Sequence, residues 1–389
     1  MPQDDKPGAE TRQSSYKLRA GLRAISPSAR ERGCGVLCVE HVEHEPSILL
    51  KREDSGVRAT WQGVMACGHI WSCPVCSANI RAKRAERIVM AVDAMGGRWQ
   101  MLTVTLRHRP GMRLKELLAG LSAAWRRTRQ GGRIQRVWSE RVSASVRALE
   151  MTYGGNGWHP HIHVLLRTTE WDDDERDALL AGWKRAIERE LGAAVRPDDE
   201  HGLVWSAPFD ASAPDKANRA RYLAKLGLET TGLAKEGRGG SLTPWQIAAI
   251  ATKGDDAAKS LWWEYVDATR GRRMIELDDR AQEAYERALL EQRSEGGDVD
   301  DLQPPIRIDL KRDDLRALRR LERTMPTIMA IVLAAAESGG RRAVGEWIAY
   351  ARADAAARDE AARDRRWALR DQSGRGRVES GMCGGSGFA

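Results

Sequence analysis

A chain of 389 residues has room for more than one domain, and 42% apolar residues is enough for a globular core. The formal net charge of +8, from 63 Lys and Arg against 55 Asp and Glu, favours a polyanionic partner, nucleic acid foremost. No apolar run is long enough to cross a bilayer, and the opening MPQDDKPGAETRQSS has no apolar signal core, so a cytoplasmic protein without a membrane partner is expected.

Residues 1–30 read as a flexible polar leader, and residues 31–80 as a small cysteine module holding every cysteine except Cys383. In a reducing compartment such density points to metal rather than to disulfides. In ACGHIWSCPVC the thiolates of Cys73 and Cys76 form a knuckle that meets one tetrahedral zinc without strain, and Cys67 supplies a third ligand from just upstream. Cys34 or Cys38, across an intervening strand pair, supplies the fourth. Cys34 is preferred because it precedes Gly35, and Cys-Gly turns recur at zinc knuckles; His69 is a further donor. Such a zinc is structural, folding the module and holding the next helix to its partner. The other reading is a redox CxxC or simply buried thiols.

From Ala78 to Met95, the spacing of Ile80, Ile88, Val92 and Met95 among Arg and Lys predicts an amphipathic basic helix, ended by Gly96-Gly97. Its Arg81, Lys83, Arg84 and Arg87 are candidate DNA contacts. Further basic clusters lie at WRRTR (125–129), RGRR (270–273) and LKRDDLRALRRLER (310–323). RWQMLTVTLRH (98–108) alternates and is β-branched, predicting a strand, and 113–130 predicts a helix. VSASVRALEMTY (142–153) is a second strand. The turn at 154–157 leads to a third, 159–167, so the two form a hairpin. TEWDDDERDALLAGWKRAIERELG opens on acidic residues and closes at Gly192, a well-marked helix. PDKANRARYLAKLGLE is helical again. Residues 276–303 read as an acidic linker, 304–370 as a helical C-terminal domain and 371–389 as a flexible Gly- and Ser-rich tail, leaving 81–275 as the central domain.

In GWHPHIHVLLR (157–167), His161 and His163 stand two apart and project from one face of an extended strand. A hairpin closed at Gly155-Asn156 sets Glu150 opposite His161, close enough to share a ligand. His161, His163 and Glu150 would then surround one divalent cation with positions left for water or substrate. Magnesium or manganese helped by phosphate oxygens suits this donor set, and zinc equally well. His159, of the same parity, is the alternative third ligand, and an HxH pair is also compatible with two hydrogen-bonded surface histidines. Tyr222 and Lys225 lie one turn apart on a basic helix beside Arg221, a candidate DNA contact. A phenol beside an ammonium, near a metal-bound phosphate, can lose its proton and attack phosphorus. A core tyrosine anchoring its helix is the other reading.

Taken together and in this order, MLTVTLRH, HPHIHVLLR and YLAKLGLE resemble the three motifs of the HUH endonucleases. With CGHIWSCPVC ahead of them they resemble the rolling-circle replication initiators of small bacterial plasmids, of the type with a cysteine module before the nuclease. The resemblance runs from about residue 34 to 275 and includes LWWEYVDATRGRRMIEL. It implies an α+β fold in which a central antiparallel sheet carries the histidines on one face and the tyrosine helix packs across it. It also implies that His161 and His163 bind the cation, that Tyr222 is the nucleophile and that Lys225 is the lysine following it. The activity implied is a nick at the plasmid origin, single-stranded at that point, leaving a 5′-phosphotyrosine and a 3′-hydroxyl that primes synthesis and later rejoins the strand. Host helicase and DNA polymerase are the implied partners. In one place the chain departs from the pattern: some relatives carry a carboxylate four residues before the tyrosine, where this chain has Asn218.

A single-strand transposase of the HUH type shares this chemistry, whereas a conjugative relaxase typically gathers three histidines and a large helicase domain. A non-enzymatic zinc DNA-binding regulator is the reading from another class. The arginine-rich C-terminal helices admit a role in origin recognition or homodimer formation, and equally a solvated charged face around an Ala, Ile and Leu core.

Overall fold

The computed structural model describes residues 7–35, 45–53, 56–213, 240–295 and 305–378. In chain order the first elements are α1 (Pro7–Ile25), α2 (Ala29–Arg32), β1 (Ser47–Glu53), β2 (Gly56–Gln62), α3 (Pro74–Met95) and β3 (Arg98–Val104). There follow α4 (Leu114–Arg129), α5 (Gly132–Arg141), β4 (Val142–Gly154), β5 (Gly157–Thr168), α6 (Asp173–Leu191), β6 (Leu203–Trp205) and β7 (Phe209–Asp210). The last are α7 (Pro244–Ala251), α8 (Asp256–Thr269), β8 (Ile275–Leu277), α9 (Asp279–Glu295), β9 (Ile306–Asp309), α10 (Arg312–Leu321) and α11 (Ile328–Val378). These elements make an α+β fold of two compact units, one drawn from Met1–Arg32 and Ala66–Gln303, the other from Gly33–Met65 and Pro304–Ala389.

The larger unit is organised around an antiparallel sheet in the order β6-β3-β5-β4-β8, with β7 also on β3. Alternation explains its central strands. Ile162 and Val164 of β5 are buried, as are their β3 partners Val104 and Leu102. The intervening positions are left to carry polar groups. The β4–β5 turn is tight, pairing Gly154 with Gly157, and Gly157 takes a φ of 84° against the Arg109 carbonyl, a backbone that favours glycine.

Helices α4 and α5 pack on β5 and β4, and α6 packs on α4. Tryptophan supplies much of this layer: Trp125 meets Trp138 and Trp183 edge-on, and Trp138 meets Trp171. The Asp172 and Glu175 side chains form a reciprocal capping box at the start of α6. Helix α3 packs with α9, which lies along β4.

Two stretches differ from the sequence expectation. Residues 7–25, expected within a flexible leader, form α1, in which Leu18 and Leu22, one turn apart, are buried; so few large apolar residues among many polar ones leave the helical period hard to read. Residues 276–295, expected as linker, form most of β8 and all of α9. Their acidity is that of a solvated helix face, while Ala281 and Ala284 pack inward.

The second unit is a three-stranded sheet, β2-β1-β9, on helices. Residues 304–370, expected as a helical C-terminal domain, are mostly helical but open with β9, which pairs Ile308 with Ile48 and Ile306 with Leu50. Ile48, Leu50, Ala59 and Ile308 are buried, together with Leu315, Leu318, Ile328, Met329 and Val332 of α10 and α11. Glu337 of α11 accepts from the Ala59 N–H at 2.8 Å, and Trp61 Nε1 donates to the Met329 carbonyl at 3.2 Å. Gly340, with a φ of 58°, breaks α11 into two helical runs. No helix among the described residues is long and apolar enough to cross a membrane.

Candidate functional site

The β4–β5 register sets Glu150 opposite His161 and Ala148 opposite His163, and the β3–β5 register sets Thr103 on the other side of His163. Strand alternation turns Thr103, Glu150, His161 and His163 to one face. Glu150 Oε2 lies 3.1 Å from His161 Nε2 and 3.0 Å from His163 Nε2. The second nitrogen of His163, Nδ1, lies 3.0 Å from Thr103 Oγ1. His161 Nδ1 is buried with no hydrogen-bond partner among the described residues. His159 is not in this trio; it stacks on His108 with ring centroids 4.6 Å apart and planes 12° from parallel.

Burial pushes the Glu150 carboxyl up, but hydrogen bonds from His161 and His163, and their charge, outweigh it and hold the group well below the usual carboxylate range. The site therefore presents a carboxylate. Burial, helped by His161 and His108, pushes His159 down to about 4, and burial lowers His108 as well, so the stacked pair is neutral at neutral pH.

The trio fits a divalent cation. Its donor atoms all lie within 4.8 Å of one another. Bonds of about 2.1 Å at right angles would put neighbouring donors about 3 Å apart, as Glu150 Oε2 is from each imidazole. Two imidazoles and one carboxylate suit magnesium, manganese or zinc, with coordination positions left open.

A second group of ligand candidates lies within the larger unit: Cys67, Cys73 and Cys76 are buried and none is in a disulfide, and Cys34, likewise buried and in no disulfide, belongs to the other unit. Cys67 Sγ and Cys76 Sγ are 3.6 Å apart, too far for a disulfide. Four sulfurs on a tetrahedral zinc with bonds of about 2.3 Å would sit about 3.8 Å apart. Cys73 is the N-cap of α3, with Pro74 at its first position and Cys76 in its first turn, so two thiolates meet the positive end of a helix. Gly35 and Gly68, each following a cysteine, have φ of 79° and 71°, the left-handed backbone of a tight Cys-Gly turn. His69 turns away to Glu31, with Nδ1 2.6 Å from Oε1. Cys38 lies outside the described residues.

The basic residues of α3 divide. Arg81 is buried; burial lowers it to about 10, and the charges of Tyr265 and Glu150 offset part of the fall. The expectation of Arg81 on a DNA-facing side overlooked that its position on the helix points inward. Lys83 is exposed, and Arg84 is half-buried among the charges of Arg87 and Arg273. Arg87 donates to Gln282 at 2.7 Å and lies over the Tyr285 ring. Tyr222, Lys225 and Arg221 lie outside the described residues, as does Asn218.

Sequence reasoning had missed Thr103 and His108. Both fall in MLTVTLRH, which marks a strand, but nothing local in that stretch says which strand lies beside it.

Compared with known proteins, residues 60–171 match a family model described as Replication protein. Protein rep of Streptomyces lividans is 32% identical over 333 residues, which cover 66% of this chain and 70% of that protein. A neomycin resistance protein of Streptomyces cyanogenus is 31% identical over 157 residues, 32% of this chain and 35% of that protein. No solved structure matches.

Proposed function

The chain belongs to the replication-protein family of rolling-circle plasmid initiators, and on that premise we propose that it nicks and rejoins one strand of a plasmid origin by tyrosine attack. The observation carrying this reading is the Glu150, His161 and His163 trio, which lies within the segment matched to the family.

A magnesium or manganese ion held there would act as Lewis acid and template for the scissile phosphate. Glu150, kept ionised by its two imidazole neighbours, would supply the anionic ligand. His161 and His163 would each offer Nε2, with Thr103 fixing the second ring. Tyr222 would then attack phosphorus in line, forming the Oη–P bond and breaking the P–O3′ bond. The products are a 5′-phosphotyrosine and a 3′-hydroxyl, with Lys225 offsetting the negative charge of the phenolate. Because the ester bond energy is retained, the hydroxyl can attack the phosphotyrosine and restore the strand. Lys83, Arg84, Arg87 and Arg221 would contact backbone phosphates, and buried Arg81 would act as a fixed positive charge near Glu150. Structural zinc on Cys34, Cys67, Cys73 and Cys76 would hold the start of α3 in place. Host helicase and polymerase would extend the primed strand in the cytoplasm.

The test mixes the full chain and Mn²⁺ with labelled single-stranded fragments from DNA flanking its gene, and looks for an SDS-resistant adduct. Tyr222→Phe and His161→Ala should each abolish it. An adduct that survives Tyr222→Phe moves the nucleophile elsewhere. No adduct on any fragment, with specific binding retained, would reject nicking in favour of a zinc-dependent regulator.

A further inference from the structure

The strand that carries the cation site holds a third histidine that the trio leaves out. His159 shares the face of His161 and His163, and the register sets Thr152 opposite it. Its ring centroid lies 5.3 Å from that of His161, and it also meets His108 in a near-parallel stack, with centroids 4.6 Å apart. The His108 ring N–H donates to the Leu106 carbonyl, which fixes the plane of that ring. Both rings are half-buried, and Arg107, Arg109 and Pro110 around His108 are exposed.

Two other uses of the pair fail. Parallel imidazoles do not converge their nitrogens on one ion, and among the described residues neither ring joins a cluster of possible ligands. A packing role asks for an apolar side chain. At a half-buried position an imidazole contributes less apolar burial than leucine and brings two nitrogens to satisfy. What remains is a flat aromatic pair, held rigid between exposed guanidinium groups and next to a metal ligand.

We propose that His108 and His159 form a stacking ledge for the unpaired nucleobase next to the scissile phosphate, with Arg107 and Arg109 contacting the phosphates that flank it. The inference rests on the nicking reading and names a positioning element of that same site. Residues 159 and 161 are two apart on an extended strand, roughly 6–7 Å. A single strand whose scissile phosphate sits at the trio therefore presents a neighbouring base at the ledge. Aromatic faces hold unpaired bases by stacking whatever the base, while cationic side chains track the backbone. A paired base keeps both faces inside the duplex, so the ledge accepts only an opened strand. It sets the strand's register against the cation instead of reading its sequence.

The test uses the full chain with Mn²⁺ and the single-stranded fragment on which the covalent adduct forms, remade as a series in which one nucleotide at a time around the nick is abasic. The rate of adduct formation is read below saturating strand. In the wild type, one abasic position beside the nick should slow the adduct by about tenfold or more, as the loss of one base stack does. His108→Ala should slow the intact strand by a similar factor and lose nothing further at that position, while keeping the wild-type response at every other. His108→Phe, which retains a flat ring, should restore both the rate and the abasic sensitivity. Calorimetric Mn²⁺ affinity should be the same in His108→Ala as in the wild type, since this ring is no ligand. An abasic profile of His108→Ala identical to that of the wild type overturns the proposal. A uniform loss on every strand together with weakened Mn²⁺ binding also overturns it, because His108 would then only prop up the trio. A wild-type chain that forms no adduct on any fragment sinks the nicking reading itself, and the ledge with it.

Discussion

Replacing Thr103 with valine removes one oxygen and keeps the β-branched shape that the strand prefers. In the structure that oxygen lies 3.0 Å from His163 Nδ1, while the other ring nitrogen faces Glu150 at 3.0 Å. The ring is thus held at both ends, and Thr103 fixes which nitrogen stays free to bind metal. Loss of a hydrogen bond behind a metal-bound histidine weakens binding by about 10- to 100-fold, equivalent to about 1.4–2.7 kcal/mol. Thr103 is half-buried, so water can replace part of the contact and the lower half of that range is expected. Calorimetric titration with Mn²⁺ reads the effect directly, without DNA or turnover. Thr103→Ser, which keeps the hydroxyl, should return affinity to within about threefold of the wild type. The cost to fold stability should be that of one hydrogen bond, about 1 kcal/mol. If Thr103→Val binds Mn²⁺ as tightly as the wild type, the hydroxyl does not position His163 and the reasoning fails.

Three further outcomes test the scaffold. The purified chain should carry about one zinc per molecule by elemental analysis, and Cys76→Ser should lose it together with much of its thermal stability, since structural zinc contributes directly to folding; a zinc-free wild type of full stability would argue against the metal. Trp183, fully buried on α6 and donating to the Thr105 carbonyl at 2.8 Å, should cost about 3–5 kcal/mol as alanine, read as a shift in urea midpoint. Asp172→Ala removes half of the capping box of α6 and should cost about 1 kcal/mol by the same measurement, while Asp172→Asn should cost much less.

Local rules sufficed wherever the chain folds back on itself at once. The side-chain period of a strand puts His161 and His163 on one face whatever surrounds them, and a two-residue turn fixes the partner strand's register, so Glu150 was legible from counting. The CPVC spacing likewise brought Cys73 and Cys76 to a single helix start. Contacts between distant segments were not legible. Thr103 reaches His163 only because β3 pairs with β5 in one register, and a slip of one residue would have turned a hydrophobic side chain to that place. Whether Arg81 points outward or inward depends on what packs against α3, which its sequence does not contain. Strand β9 joins β1 across some 250 residues of intervening chain, and a stretch of four residues carries no signal for so remote a partner. Strand and helix periods are properties of the local backbone and can be read from residue types. The choice of a distant neighbour is made by burying apolar surface in the assembled fold, and only the tertiary structure records it.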